Sequence, residues 1–227
     1  MRYKAILLDA DDTLFDFEAA EYAAIVQLLD RLHINDPYGA DKYRRINEAC
    51  WSDLERGIIT QTELRTLRFE KFLKEYPEDY DIAYIAREYE TALSEQSFLL
   101  PGAYEAVECI SRVLPIAIVT NGIARVQHGR INASPIRPFI SHLVISEEVG
   151  AAKPDPAMIF VALERLGGIA PEEALMVGDS LTSDMRAAER AGVDACWFNP
   201  KGKERPMKSK IRYEIRRIED LANIALD

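Results

Sequence analysis

An aspartate pair directly after the first apolar run of the chain places the strongest constraint on the fold. The run Tyr3–Leu8 predicts a buried strand, and Asp9-Ala10-Asp11-Asp12-Thr13 follows it at once. In a continued strand, Asp9 and Asp11 would lie on one face, roughly 7 Å apart. The two carboxylates can therefore meet at one reacting centre only if the backbone bends where the strand ends. Alone, the pattern Asp-x-Asp-x-Thr is weak, because chance also produces it.

Three later segments place polar side chains at the ends of predicted elements. An Ile- and Val-rich run ends in Thr-Asn-Gly over 116–122, which predicts a buried strand followed by a turn. Lys153 precedes a helix that begins with proline, a residue suited to the first helical turn. A further apolar strand ends in Gly178-Asp179, and Asp184 follows five positions on.

Each segment also has an interpretation without function. The Thr-Asn-Gly segment could form only a turn, and Lys153 could be a solvated surface lysine. Asp179 could cap the following helix, and the aspartates near residue 11 could likewise be turn and cap residues. The joint pattern favours function, because in open α/β sheets the ligand crevice lies at the carboxyl ends of the strands.

The stretch between the first motif and Pro101 shows helical patterns and almost no strand signal. Apolar residues recur at Ile25, Leu28, Leu29 and Leu32, the stripe of an amphipathic helix. Thr60 and Glu63 form a capping box at the start of another helix. We predict helices over 18–32, 40–56, 60–73 and 82–93.

After Pro101, strands and helices alternate. The pattern predicts strands over 116–120, 142–146, 174–178 and 194–198, separated by helices over 103–113, 123–132, 156–167 and 181–191. Such alternation is typical of a doubly wound, parallel α/β sheet of Rossmann-like type with helices on both faces. The first strand must join this sheet, because a lone strand could not bury itself. We therefore predict a core formed by 1–15 and 98–227, and an all-helical cap, 16–97, inserted after the first strand over the carboxyl ends of the strands.

The ordered motifs resemble the haloacid dehalogenase-like (HAD) superfamily, most of whose members are phosphatases. The resemblance covers essentially the whole chain and rests on Asp9, Asp11, Thr13, Thr120, Lys153, Asp179 and Asp184. A narrower resemblance, to the YjjG/YfnB-like group, is carried by segments 11–17, 119–122, 178–184 and 196–199. That group is described as noncanonical pyrimidine 5′-nucleotidases. Family members with an insertion at this point carry a helical cap.

The resemblance implies a Mg²⁺-dependent phosphomonoester hydrolase that acts through an aspartyl-phosphate. It implies that Asp9 is the nucleophile, which divides one difficult step into two. Asp11 would protonate the departing alkoxide and later take a proton from the attacking water. These residue types suit phosphoryl transfer, which needs a nucleophile, a proton donor and cations around the phosphate oxygens.

The resemblance also implies how the metal and the phosphate are held. Mg²⁺ would bind Asp9, Asp179 and the backbone carbonyl of Asp11, an oxygen-rich site of the kind that this ion prefers. Thr120, Asn121 and Lys153 would bind the phosphate. Asp184 would lie next to these ligands and orient a metal-bound water or Lys153.

Asp11 separates several related chemistries. In this superfamily, dehalogenases and phosphonatases lack an acid at the matching position, so Asp11 favours the cleavage of a phosphate ester. A phosphomutase keeps both aspartates and stays open as an alternative, as does a sugar-phosphate phosphatase. A catalytically inactive binding module is opposed by the presence of Asp9, Asp11, Lys153 and Asp179.

Composition limits the partners. The net charge of −10 argues against nucleic acid, and no window approaches the roughly 20 apolar residues of a membrane span. Three isolated cysteines and the lack of a signal-peptide pattern indicate a cytoplasmic protein. We expect the partner to be a small phosphorylated metabolite, specifically a nucleoside monophosphate. Cap candidates for reading it are Tyr43, Asn47, Trp51, Arg65, Arg68 and Phe69.

Overall fold

The structure is a computed structural model that describes residues 2–205, 207 and 210–227. The chain divides into two compact units, a core unit formed by Met1–Phe17 with Ser97–Asp227 and a helical unit formed by Glu18–Gln96. The predicted division differs from this one by two residues at the first junction and by one at the second.

The core unit is built on a parallel sheet. In the part of the chain that the structure describes, six strands form one sheet in the order β3-β2-β1-β4-β5-β6, and every neighbouring pair is parallel. This confirms the predicted doubly wound, Rossmann-like class. The strands are β1 (Ala5–Leu8), β2 (Ile116–Thr120), β3 (His142–Ile145), β4 (Ala174–Gly178), β5 (Asp194–Phe198) and β6 (Tyr213–Ile215).

The predicted helices are present with shifted ends, and the structure adds two short helices that the sequence did not predict. The helical unit holds α1 (Phe17–Arg31, whose first residue belongs to the core unit), α2 (Gly39–Glu55), α3 (Gln61–Leu73) and α4 (Ile82–Ser94). The core unit holds α5 (Ala103–Ser111), α6 (Ala124–Ala133), α7 (Ser146–Val149), α8 (Ala157–Arg165), α9 (Asp184–Ala191) and α10 (Leu221–Leu226). Within the described residues, none of these helices combines the length and the apolar character needed to cross a membrane.

Both faces of the sheet are covered by helices. Ile6 and Leu8 of β1 pack in a cluster that includes residues of α5 and α10, whereas Leu7 packs in a second cluster with residues of α8 and α9. Successive side chains of a strand point to opposite faces. Because neither face meets water, the central strands consist of continuous apolar runs, which made them visible in the sequence.

The strand register brings the predicted functional residues to one edge of the sheet. Leu8 of β1 pairs with Ile118 of β2 on one side and with Val177 of β4 on the other. The residues that follow these three positions therefore leave the sheet side by side. The order in which the chain adds strands to the sheet reverses between β1 and β4, and open α/β sheets place their ligand crevice at such a point.

The helical unit buries a row of polar side chains from three helices. The Asn47 amide donates to Glu21 at 2.5 Å, and Arg68 donates to the Asn47 oxygen at 3.1 Å. All three side chains are buried. The Arg68 guanidinium also lies over the rings of Phe69 and Tyr89, at 5.2 and 4.9 Å from their centroids. Burial raises the pKa of Glu21 to about 7, although Asn47 and Arg68 oppose the shift.

Replacing Glu21 with Gln should stabilise the protein above pH 7 and change little below pH 5. The folded-state pKa of about 7 lies above the ordinary value of 4.5, so ionisation removes folding free energy as the pH rises from 4.5 to 7. We expect a gain on the order of 2 kcal/mol at pH 8, measured by urea denaturation. The control variant Glu18→Gln, at an exposed position near the start of the same helix, should not show this pH-dependent gain in stability. An equal effect of Glu21→Gln at pH 5 and pH 8 would contradict the prediction.

Candidate active site

The bend that the sequence requires after β1 is present. The Asp9 amide still donates to the Val177 carbonyl at 2.9 Å, so Asp9 keeps the register of β4. The chain then turns at Asp12, whose φ of 57° lies in the left-handed region that aspartate tolerates. The amides of Leu14 and Phe15 both donate to the Ala10 carbonyl at 2.9 Å, which closes a tight loop around the aspartate motif.

A buried lysine joins two of the predicted aspartates. The Lys153 ammonium lies 2.5 Å from Asp9 Oδ1 and 2.7 Å from Asp184 Oδ1, and it donates to the Val119 carbonyl at 2.6 Å. Lys153, Asp9 and Asp184 are all buried. The structure therefore brings together residues from three predicted motifs around one ammonium group.

The Asn121 side chain fixes the backbone of Lys153. Its amide nitrogen donates to the Lys153 carbonyl, and its oxygen accepts from the Lys153 amide, both at 2.8 Å. The sequence assigned Asn121 to phosphate binding. The Asn121 side chain is therefore engaged with Lys153, and a contact of Asn121 with phosphate stays a prediction.

Asp184 is held at the start of α9 by the loop that precedes it. Its Oδ2 accepts from the Ser180 amide at 3.1 Å. A Cβ atom on Gly178 would lie 2.3 Å from the same oxygen, so only glycine leaves room for this approach. The helix predicted over 181–191 begins three residues later than expected, because residues 180–183 form this loop.

Asp179 is positioned through its backbone. The indole N–H of the buried Trp197 donates to the Asp179 carbonyl at 2.8 Å. Burial and the nearby Asp184 raise the pKa of the Asp179 carboxyl to about 7. Sequence reasoning did not assign a role to Trp197, although its segment was part of the motif resemblance.

The charges in this cluster are unbalanced. Asp9, Asp179 and Asp184 each place a carboxylate oxygen within 4.8 Å of the others, whereas Lys153 is the ammonium among them. Burial, followed by repulsion from Asp184, raises the pKa of Asp9 well above its ordinary value, against the attraction of Lys153. Burial lowers the pKa of Lys153, but the two neighbouring carboxylates outweigh it and raise the pKa overall.

A divalent cation fits this donor set. Three carboxylates facing one ammonium leave an excess of negative charge, and carboxylate oxygens are the ligands that Mg²⁺ prefers. Both Asp184 oxygens are already engaged, one by Lys153 and the other by the Ser180 amide.

The two predicted threonines lie inside the same region. Thr13 is buried, and its hydroxyl donates to Asp9 Oδ2 at 3.4 Å. Thr120 ends β2 and is also buried, and its hydroxyl accepts from the Gly122 amide at 3.1 Å. Each hydroxyl thus has a fixed position at the carboxyl end of a central strand.

Asp11 is held by two residues that sequence reasoning missed. Arg130 Nη1 donates to Asp11 Oδ1, and Gln127 Nε2 donates to Asp11 Oδ2 at 2.7 Å. Both partners come from α6 and are buried. They lie three residues apart and so share one helix face, where Val126 and Ile131 are apolar. Two polar residues on an otherwise apolar helix face were the signal that could have identified them.

The predicted cap candidates lie mainly inside the helical unit. Tyr43, Asn47, Arg68 and Phe69 are buried, whereas Trp51 and Arg65 are half-buried. The rings of Tyr43 and Phe69 stack with centroids 5.3 Å apart. Arg65 pairs with Glu90 at 3.3 Å. Several groups considered for substrate contact therefore take part in the packing of this unit.

Comparison with known proteins identifies the family. A family model described as haloacid dehalogenase-like hydrolase matches residues 3–192. The crystal structure of the magnesium-bound HAD-hydrolase YfnB from Bacillus subtilis superposes with a TM-score of 0.91 at 34% identity and covers 99% of both chains. The YfnB structure carries the metal that the acidic cluster suggests.

Two similar proteins have names that include an activity. Pyrimidine 5′-nucleotidase PynA of Streptococcus pneumoniae is 34% identical over 97% of this chain and 94% of its own length. Pyrimidine 5′-nucleotidase YjjG of Escherichia coli is 33% identical over 91% of this chain and 90% of its own length. The similarity extends over nearly the whole chain in each case.

Replacing Lys153 with Met should destabilise the protein strongly, because Asp9 and Asp184 would remain buried without their cation. Removing one partner of a buried ion pair typically costs about 3 to 5 kcal/mol. Urea denaturation at pH 7.5 in EDTA would measure the loss. Lys4→Met is the matched control, since Lys4 forms an exposed pair with Glu173 and should matter little. Equal unfolding midpoints for the two variants would contradict the role given to Lys153.

Proposed function

The chain belongs to the haloacid dehalogenase-like hydrolases, and we propose that it is a Mg²⁺-dependent phosphomonoester hydrolase acting on nucleoside 5′-monophosphates, pyrimidine ones ahead of purine ones. One observation carries the catalytic part of this proposal. Asp9, Lys153, Asp184 and Asp179 converge at the carboxyl end of the sheet, where Asp9 and Lys153 are in direct contact. This is a nucleophile beside a fixed positive charge and a set of metal ligands.

In the first half-reaction, a carboxylate oxygen of Asp9 attacks the phosphorus atom. The bond between phosphorus and the ester oxygen breaks, and the phosphoryl group remains on Asp9 as an aspartyl-phosphate. The departing alkoxide takes a proton from Asp11 and leaves as a nucleoside. Asp11 supplies the acid that an alkyl leaving group needs.

In the second half-reaction, water attacks the phosphorus atom of the aspartyl-phosphate. The bond between phosphorus and the Asp9 oxygen breaks, which releases inorganic phosphate and restores the carboxylate. Asp11 takes the proton that the water loses. The two steps together return both aspartates to their starting forms.

The remaining residues bind and neutralise the phosphate. The Lys153 ammonium offsets negative charge, while the Thr120 hydroxyl and the Asn121 backbone N–H donate hydrogen bonds to phosphate oxygens. Mg²⁺ bound by Asp9, Asp179 and the backbone carbonyl of Asp11 would supply further charge neutralisation at those oxygens. Asp184 keeps Lys153 in place through the ion pair between them.

The base preference is supported by the relatives and by the chemistry of the helical unit. PynA and YjjG are both named pyrimidine 5′-nucleotidases. Reading a base needs a flat apolar surface and polar groups that a wrong base would leave unpaired. Of the cap candidates, the half-buried Trp51 offers such a surface and the half-buried Arg65 offers a polar group.

The location that we propose is the cytoplasm. Cys50, Cys109 and Cys196 are free cysteines. Free cysteines are typical of proteins in reducing compartments. In that compartment the protein would encounter both nucleoside monophosphates and Mg²⁺.

Wild-type protein should release 4-nitrophenol and inorganic phosphate from 4-nitrophenyl phosphate only when Mg²⁺ is present. Asp9→Asn removes the nucleophile and a metal ligand together, so we expect a loss of about 10³-fold or more. Phosphate release with and without EDTA measures both effects. Asp30→Asn, an exposed change in the helical unit, should leave turnover unchanged. Activity that survives thorough chelation would refute the metal role, and near-normal turnover of Asp9→Asn would refute the nucleophile.

Pyrimidine nucleoside monophosphates should be the preferred substrates. We expect kcat/KM for dUMP, dTMP and UMP to exceed that for dAMP, since a purine would not match a site shaped for the smaller base. The measurement compares these four with several sugar phosphates side by side. A sugar phosphate that is preferred over every nucleotide by about tenfold would favour a sugar-phosphate phosphatase. A requirement for a bisphosphate activator with little phosphate release would identify a phosphomutase.

A further inference from the structure

We propose that Arg130 and Gln127 are positioning residues that hold the Asp11 carboxylate ready to accept the proton of the attacking water in the second half-reaction. The inference rests on the proposed function, because it concerns the hydrolysis of the aspartyl-phosphate on Asp9. It adds two residues outside the four motifs to the residues that govern turnover.

The hydrogen bonds to Asp11 define its role in this arrangement. Arg130 donates to one carboxylate oxygen and Gln127 donates to the other. An arginine guanidinium can only donate, and the amide nitrogen of glutamine is likewise a donor. Both oxygens of the Asp11 carboxylate therefore accept hydrogen bonds, and these bonds orient the group.

The two partners are themselves fixed. The Arg130 side chain is 0% exposed, and its guanidinium lies over the rings of Phe15 and Phe17, 4.8 and 5.7 Å from their centroids. Gln127 is packed so closely against Gly122 that a Cβ atom there would lie 2.2 Å from Gln127 Nε2. By contrast, the Asp11 side chain is 27% exposed. Asp11 is therefore the partly exposed member of this group, and the buried Arg130 and Gln127 form the dock that receives its carboxylate.

The reaction sequence shows when such a dock matters. Asp11 becomes a carboxylate when its proton passes to the departing alkoxide. The dock can then receive the carboxylate and orient it for the second half-reaction. There, the water oxygen bonds to phosphorus, the bond from phosphorus to Asp9 breaks, and the water proton passes to Asp11. Loss of the dock should slow this step more than the first.

The test uses Arg130→Met with 4-nitrophenyl phosphate, whose leaving group needs no proton. We expect kcat and KM to fall together by about ten- to a hundredfold, while kcat/KM changes by less than about threefold, because only the step after phosphorylation is slowed. Stopped-flow measurement should show a burst of 4-nitrophenolate that approaches one equivalent per active site. A residue with only a structural role would lower activity without producing this pattern.

Three further variants keep the test informative if Arg130→Met folds poorly. Gln127→Met removes one hydrogen bond, and Gly122→Ala displaces Gln127, so both should show the same pattern in weaker form. Arg130→Lys keeps the charge without the planar fork and should recover part of kcat. Arg125→Met is the matched control, because Arg125 is exposed on the same helix, and it should behave as wild type. Thermal melts report folding in every case.

Combining Arg130→Met with Asp11→Asn separates action through Asp11 from general damage. If Arg130 acts through Asp11, the double variant should be no slower than Asp11→Asn alone. A further loss in the double variant would overturn the proposal. So would a fall in kcat at constant KM without a burst, or a rise in KM at constant kcat, which would indicate that Arg130 binds substrate. Wild-type protein without phosphatase activity would refute the proposed function itself, whereas an active wild type with no burst in Arg130→Met refutes only the dock.

Discussion

The contact of the Lys153 ammonium with Asp9 and Asp184 is the interaction on which the site depends. It joins Asp9, which follows β1, and Lys153, from the loop between α7 and α8, with the first residue of α9, and all three are buried. Buried ion pairs seldom add net stability, because the charges lose their hydration, and apolar replacements of similar size are often as stable. The group therefore has no advantage as a support for the fold. In the proposed function its value is that it places Asp9 in a region of low dielectric, where electrostatic effects on a phosphate are strong.

Strands whose residues are almost all buried were predicted correctly from the sequence. Strands covered on both faces become continuous apolar runs, so β1, β2, β4 and β5 could be recognised from composition alone. The edge strand β6 was missed because three residues, one of them an exposed glutamate, carry no periodicity. The start of α9 was also placed wrongly. Residues 180–183 have the polarity of a helix start, but the hydrogen bond from the Ser180 amide to Asp184 and that from the Ser183 amide to Ser180 form a loop there.

The sequence identified the motif residues of the candidate site, but it did not identify the residues that form hydrogen bonds with them. Aspartates that directly follow apolar strands must reach one edge of a parallel sheet, so local patterns sufficed to bring Asp9 and Asp179 together. Arg130 contacts Asp11 across 119 positions of sequence, and the indole of Trp197 supports a loop that lies 18 positions earlier. Such pairs depend on how α6 and β5 pack on the sheet, which a single sequence does not specify. Asn121 is another example, because the sequence did not reveal that its side chain hydrogen-bonds the backbone of Lys153.

The hydrogen bonds and ion pairs around Lys153 and Asp184 have one physical effect in common, which is to fix charged groups in place. An active site lowers a barrier most when its charges already face the transition state, so that none has to reorient during the reaction. Lys153 is held by a carbonyl and two carboxylates while Asn121 binds its backbone, and Asp184 is bound from both sides by Lys153 and the Ser180 amide. Asp11 differs, because its partners are buried while its own side chain is partly exposed. In the proposed mechanism Asp11 donates a proton in one step and accepts one in the next, so it must reach both the leaving group and water. A partly exposed Asp11 beside a buried Asp9 and Lys153 is the arrangement that such a two-step phosphoryl transfer needs.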